Sequence, residues 1–159
     1  MAIEYLADHM RLAPTLARWH YEEWRNQVAG WSFEAARAEL ETHTDRRTIP
    51  TTLVALEEGH PVGSVSLLLE DLEEWRQWTP WLGSLFVAPA HRGRGIGKEL
   101  VQRAEAEAWE QGVPELFLFT AGQETFYAAL GWRVVERVTH HGGPAVVMGR
   151  RDVPTPWRR

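Results

Sequence analysis

The chain has 159 residues, a formal net charge of −5 and 44% hydrophobic residues, which is the length of one domain and the composition of a folded globular protein. An acidic balance argues against a protein that coats nucleic acid, where affinity comes from neutralising phosphates. The absence of cysteine excludes disulfides, thiolate metal sites and a cysteine nucleophile, and suits a reducing cytosol.

Met1 to Asp8 carries neither a basic flank nor a long apolar run, so neither a signal peptide nor a membrane anchor is read there and a cytoplasmic location is expected. Ala2 to Leu6 alternates loosely, as a short first strand does. Met10 to Val28 has helical spacing, with Leu12, Leu16 and Trp19 on one side and Trp24 near it; Pro14 fits only a first turn, which puts the start near Ala13. Gly30 ends that helix. Ser32 is a ready N-cap for a second helix from Phe33 to Glu41, where Phe33, Ala36 and Leu40 recur at helical intervals.

Thr42 to Pro50 reads as a loop containing Arg46 and Arg47. Thr51 to Glu57 and Val62 to Leu69 read as a hairpin around Glu58-Gly59-His60-Pro61. An acidic, tryptophan-bearing connection, Glu70 to Pro80, leads into a strand from Trp81 to Val87. The next helix places Ile96, Leu100, Ala104 and Ala108 on one face, with Lys98, Glu99, Gln102, Glu105 and Gln111 mostly outside it, and stops at Gly112 and Pro114. Glu115 to Thr120 is a short buried strand, parallel to its predecessor if the helix is the crossover. A short helix from Glu124 to Leu130 is closed by Gly131, and a last hairpin joins Trp132–Thr139 to Ala145–Arg150 around His140-His141-Gly142-Gly143-Pro144. One domain over residues 1–151 with a tail at 152–159 is the expected organisation.

Of nine tryptophans, Trp19, Trp24, Trp31, Trp75, Trp78 and Trp81 precede the stretch Arg92-Gly93-Arg94-Gly95-Ile96-Gly97. Large aromatics are more often core or half-buried surface than a cleft wall. The glycine stretch joins a strand to a helix N-terminus, where small residues let backbone N–H groups approach an anion and the helix adds partial positive charge. Arg92, Arg94 and Lys98 add full charges. The Gly-Lys-Ser/Thr ending of a P-loop is missing, and the loop lies too late in the chain for a dinucleotide fold.

Arg92-Gly93-Arg94-Gly95-Ile96-Gly97 matches the Arg/Gln-x-x-Gly-x-Gly/Ala loop of the GNAT superfamily of acetyl-coenzyme A dependent N-acetyltransferases, and Leu85-Phe86-Val87-Ala88-Pro89 resembles the strand before it. Phe126-Tyr127-Ala128-Ala129-Leu130-Gly131-Trp132 resembles the family's second signature, at the right spacing from the first. The resemblance implies an α/β fold: a mixed, mostly antiparallel twisted sheet of about six to seven strands with about four helices. In it, two parallel strands splay into a slot for acetyl-coenzyme A, the co-substrate.

By the same resemblance, the pyrophosphate takes N–H groups from Arg92 to Gly97, with Lys98 nearby, and the pantetheine arm pairs with the backbone of Leu85, Phe86 and Val87. Phe126 and Tyr127 are expected among the coenzyme contacts, with Tyr127 pointing at the sulfur. Tyr127 stands where the family's general acid protonates the departing thiolate, a phenol with an ordinary pKa of about 10 being protonated at neutral pH. A backbone N–H freed by a strand irregularity near Phe86 holds the oxyanion. Thr120 stands where many members carry an asparagine that contacts the arm, which puts that contact in doubt.

For the general base, Glu70 and Asp71 come first and His140 and His141 second; for each, a solvated loop residue is the competing description. The acceptor site is expected from Trp24, Trp31, Trp78, Trp81, His140 and His141. Glu70, Asp71, Glu73 and Glu74 beside Trp75 and Trp78 suit a cationic acceptor such as a polyamine or aminoglycoside. Trp19-His20-Tyr21-Glu22-Glu23-Trp24 and Thr79-Pro80-Trp81-Leu82 resemble instead the branch of actin N-terminal acetyltransferases and their bacterial relatives. That branch implies an acidic peptide N-terminus, met by Arg46 and Arg47. A coenzyme A binding module without transferase activity is the reading from a different class. No metal, nucleic acid or membrane partner is expected, and the protein is read as a monomer or homodimer.

Overall fold

The computed structural model describes residues 1–152; the expected tail lies outside the described residues apart from Asp152. Seven strands form one sheet in the order β1-β2-β3-β4-β5-β7-β6. They are β1 Ala2–Tyr5, β2 Thr51–Glu57, β3 His60–Leu68, β4 Trp81–Val87, β5 Glu115–Thr120, β6 Arg133–His140 and β7 Gly143–Arg151, with helices α1 Ala13–Trp24, α2 Phe33–Glu41, α3 Ile96–Glu110 and α4 Glu124–Ala129. Every neighbouring pair is antiparallel except β4 with β5. The mixed sheet and the parallel pair are those that the resemblance implied.

Alternation along β2 shows how the layers form. Leu53 and Ala55 pack with Val65, Leu67, Leu82 and the α3 residues Ile96, Leu100, Val101, Ala104 and Ala108. Val54 and Leu56, pointing the other way as strand geometry requires, pack with Leu12, Leu16 and Ala17 of the first helical segment and with Ala36 and Leu40 of α2. Because β2 is covered on both faces, its run from Thr51 to Leu56 is buried at every position.

Helix starts follow local chemistry. Pro14 occupies the first turn of α1, and the Ser32 hydroxyl accepts from the Ala35 N–H at 3.0 Å to cap α2. Both two-residue hairpin turns, Glu58-Gly59 and His141-Gly142, have positive φ at both central positions, which matches the twist of the strands they join. The helix α1 stops at Trp24, four residues short of the expected Val28.

The expected solvent position of Glu105 is corrected. It is buried, accepts from Trp132 Nε1 at 2.9 Å and lies 3.3 Å from Arg150. Glu107 is also buried, accepting from the Tyr5 hydroxyl at 2.8 Å and from Arg103 at 3.1 Å. Charged groups are buried where hydrogen-bonded partners meet them. Helical spacing alone does not reveal those partners, which lie on distant strands.

Candidate active site

The strands β4 and β5 meet at a single ladder position, Trp81 opposite Phe117, where the Phe117 N–H donates to the Pro80 carbonyl at 3.1 Å. Beyond it β4 stays with β3 while β5 pairs with β7 through all six of its residues. The two strands therefore diverge toward their C-terminal ends, and a slot opens between them. On β4 the ladder is irregular: Ser64 faces Phe86 and Ser66 faces Gly83, so Ser84 and Leu85 stand opposite Val65 alone. Ser84 has φ 53°. Such a bulge takes a residue out of the ladder, here directly before Phe86 where a free N–H was expected.

At the end of β4 the chain turns through Pro89–His91 into the glycine loop. Gly93 and Gly95 have φ near 80°, and a β-carbon built on either meets nothing within 4 Å. The space over the loop is open, and only the left-handed backbone demands glycine from the protein's own side. The first N–H groups of α3, which begins at Ile96, have no intrahelical carbonyl to bind and point to this space. Gly97 holds the helix close to Phe126 and Val87, each 3.7 Å from where its β-carbon would stand.

The three cations differ. Arg94 is held by Glu57 at 3.0 Å and faces His91 Nδ1 at 3.1 Å. Arg92 donates from Nε to the Val87 carbonyl at 2.8 Å, with its guanidinium 5.4 Å from the Phe86 ring centre. Lys98 is exposed. The Val87 oxygen keeps a second lone pair, so backbone pairing along β4 stays open. Loop, helix terminus and slot together fit a pyrophosphate followed by an extended arm.

Tyr127 is buried at the slot, edge-on to Phe126 at 5.0 Å and to Trp132 at 6.2 Å. Burial, with the Asp71 charge second, pushes its phenol up to about 12. Asp71 follows β3 and lies over β4, with Oδ2 3.0 Å from where a Gly83 side chain would begin. Burial and the neighbouring Glu39 push its carboxyl up to about 7. The Asp71 charge thus bears on the Tyr127 phenol. Glu70 is exposed. Thr120 has a local task, its hydroxyl accepting from the Gln123 N–H at 3.0 Å at the turn into α4.

Around this centre lies an aromatic wall. Trp78 stacks on Phe117 at 5.2 Å and meets Trp75 at 4.8 Å. His140 is edge-on to Phe119 at 5.0 Å and 4.1 Å from His141. Burial and His141 lower the His140 pKa while Glu74 opposes them, so Glu74 also faces this side. The place of Trp81 as an acceptor contact is corrected: it is fully buried, with Nε1 donating to the Trp78 carbonyl, and it supports the wall from beneath. Trp24 and Trp31 meet at His20, Trp24 by ring contact at 5.2 Å and Trp31 through Nε1 to the His20 carbonyl at 3.3 Å.

Trp19, one of the tryptophans read as core or cleft wall, stacks on Phe86 at 5.2 Å. Two residues of the site were missed in the sequence. Glu39 bears on Asp71 from α2. Gly83, inside a strand, makes room for the Asp71 carboxylate; a strand glycine is itself a sign of close approach. Arg46 is engaged by Asp8, its Nε donating at 2.8 Å. Among the described residues no cluster of three or more histidines and carboxylates could hold a metal ion, and no helix is long and apolar enough to cross a membrane.

The model of the Acetyltransferase (GNAT) family matches residues 14–132, more than half of the chain, from the first helix through the Phe-Tyr signature. The chain belongs to that family. It is a GNAT acetyltransferase by fold as well. An aminoglycoside 6'-N-acetyltransferase complexed with coenzyme A is similar at 17% identity and TM-score 0.76, over 98% of this chain and 99% of that one. Ribosomal-protein-alanine N-acetyltransferase from Brucella melitensis is similar at 23% identity and TM-score 0.73, over 95% and 99% of the two chains. YncA from Salmonella typhimurium, with its cofactor acetyl-CoA, is similar at 19% identity and TM-score 0.72, over 100% and 98%. At these identities the likeness is one of fold. No curated protein matches the sequence.

Proposed function

We propose that the protein transfers the acetyl group of acetyl-coenzyme A directly to a cationic primary amine, with Asp71 as general base and Tyr127 as general acid. The observation that carries this reading is the placement of Asp71 and Tyr127 at the mouth of one slot, with pKa values raised to about 7 and about 12. A carboxylate with a pKa near neutrality is matched to taking a proton from an ammonium, and a phenol at about 12 keeps its proton until a thiolate forms.

In this reading the Arg92–Gly97 backbone and the α3 N-terminus hold the pyrophosphate, and the β4 backbone at Leu85, Phe86 and Val87 orients the arm. The co-substrate supplies an activated acetyl thioester. The bulge at Ser84 and Leu85 directs an N–H at the developing oxyanion. Asp71 takes the proton of the acceptor's ammonium, and Tyr127 gives its own to the leaving sulfur. Trp75, Trp78, Phe119, His140 and Glu74 border the acceptor.

Charge favours a cationic over an acidic acceptor. The Glu39 charge acts on Asp71 and the Glu74 charge on His140, whereas Arg46, which with Arg47 would meet an acidic peptide, is engaged by Asp8. By their names, one structural neighbour acts on an aminoglycoside and another on a ribosomal-protein alanine.

Saturating acetyl-coenzyme A at a hundred times its Kd is expected to stabilise the protein by about 2.7 kcal/mol, seen as a Tm higher by about 5–10 °C. Tyr127→Phe should keep that shift and lose about a hundredfold or more in kcat. A full Tm shift with no amine turned over by the wild type supports a binding module; unchanged kcat in Tyr127→Phe removes the phenol from its role.

A further inference from the structure

On the face of the sheet covered by α1 and α2 runs a buried polar row that the steps above leave unused. His43, between α2 and β2, is only 2% exposed, and its Nδ1 lies 2.7 Å from Thr52 Oγ1. Thr52 Oγ1 lies 2.7 Å from Ser66 Oγ, on its cross-strand partner. Ser66 faces Gly83 on β4, and Asp71 Oδ2 lies 3.0 Å from where the missing Gly83 side chain would begin. The row therefore points from α2 to the carboxylate read as the base. Next to it, His20 Nε2 and Ser64 Oγ are buried without a partner, the kind of polar setting that ordered water occupies.

Stoichiometry asks for a route of this kind. An ammonium gives up two protons on becoming an amide, one destined for the sulfur and one for solvent. A single carboxylate holds one proton at a time, in a cleft that acceptor and co-substrate fill. We propose that Ser66, Thr52 and His43 form the proton exit of Asp71, joined to its carboxylate by one bridging water. The proposal rests on Asp71 being the base. Opposed β-carbon positions on paired strands are about 4.5–5.5 Å apart, a separation that one water spans.

The transfers balance. An ammonium N–H bond breaks, its electron pair stays on nitrogen, and the proton forms an O–H bond on Asp71. That bond breaks as the bridging water takes the proton and passes one of its own to Ser66 Oγ. Ser66 passes its proton to Thr52 Oγ1, and Thr52 passes its own to His43 Nδ1. The second ring nitrogen of His43 releases one to bulk water, and the hydroxyls turn back. Nitrogen's second proton, by way of Asp71, reloads Tyr127.

Burial holds His43 at about 4, so at neutral pH it passes a proton without keeping it. The titratable groups around the row are His20 from α1, whose own value His43 helps to lower, Glu39 from α2 beside Asp71, and Tyr127 from α4. Ser66, Thr52 and His43 act through Asp71 and are positioning residues.

The test compares Thr52→Val, which keeps the shape and removes the hydroxyl, with Thr52→Ser, which keeps the hydroxyl. Turnover would be followed against pH and in deuterium oxide, and acetyl-coenzyme A affinity by calorimetry. Thr52→Val is expected to lower kcat about tenfold, enlarge the solvent isotope effect and leave the coenzyme Kd unchanged, while Thr52→Ser restores wild-type turnover. Thr52→Val with wild-type kcat, pH profile and isotope effect overturns the exit. Should Thr52→Val not fold, Ser66→Ala makes the same comparison. Asp71→Asn separates the two ideas: wild-type turnover there overturns base and exit together. Its loss beside an unaffected Thr52→Val overturns the exit alone.

Discussion

Asp71 shows how a common surface residue acquires a special pKa. Its carboxylate fills the place of a side chain that Gly83 lacks, so it sits against the strand, half-buried, with Glu39 as a negative neighbour. Both effects disfavour the charged form. If Asp71 is the base, kcat/KM rises with pH as the carboxyl ionises and levels off above a midpoint near 7. Tyr127, at about 12, produces no descending limb in the ordinary assay range. An initial-rate series from pH 5 to 9 checks this, and in Asp71→Asn the limb near 7 should disappear. A limb that survives the substitution assigns the titration to another group.

At the scale of elements, the glycine loop and α3 form one device: a left-handed turn that launches a helix with its N–H groups facing open space. Gly95→Val places a branched residue at φ 81°, costing about 1–2 kcal/mol of stability, and puts its methyl groups where phosphate oxygens approach. The expected outcome is a folded protein that loses acetyl-coenzyme A binding by calorimetry; retained affinity would detach the loop from the co-substrate. Gly131 answers a different need. Its φ is 99°, and a β-carbon there would come within 1.7 Å of Arg150, whose guanidinium donates to the Leu130 carbonyl.

Elements with a contiguous signal were legible in the sequence. Ser32 and Pro14 marked helix starts, alternation and turn residues marked the hairpins, and two short motifs marked the slot. Features made by distant residues were not. The burial of Glu105 depends on Trp132 and Arg150, and that of Trp81 on Phe117 and the packing around it. That Asp71 lies against the sheet while Glu70 is exposed depends on Gly83, a strand away. The β4 bulge was expected from the family resemblance alone, because ladder register is a relation between two strands.

For the whole molecule, the polar row couples stability to pH. The folded state holds both His20 and His43 at about 4, against an unfolded value of about 6.5. Between these values the unfolded chain binds more protons, so stability falls as pH drops from about 6.5 toward 4. Asp71 and Glu39, with raised values, work in the opposite sense over the same acid range. The histidine effect is therefore clearest in Asp71→Asn, where urea unfolding should show a loss on the order of a few kcal/mol between pH 7 and pH 5. A flat profile there would mean that the two imidazoles are protonated in the folded state.

The central claim joins one slot, one base and one acid in acetyl transfer to a cationic amine. Its most direct test incubates the purified protein with acetyl-coenzyme A and a panel of polyamines, aminoglycosides and acidic-terminus peptides, measuring free coenzyme A thiol and acetylated product together by mass spectrometry. The predicted result is equal amounts of thiol and N-acetylated amine from a polycationic acceptor, with the acidic peptides unmodified. Thiol release no faster than spontaneous hydrolysis with every amine, or acetylation confined to the acidic peptides, would contradict it.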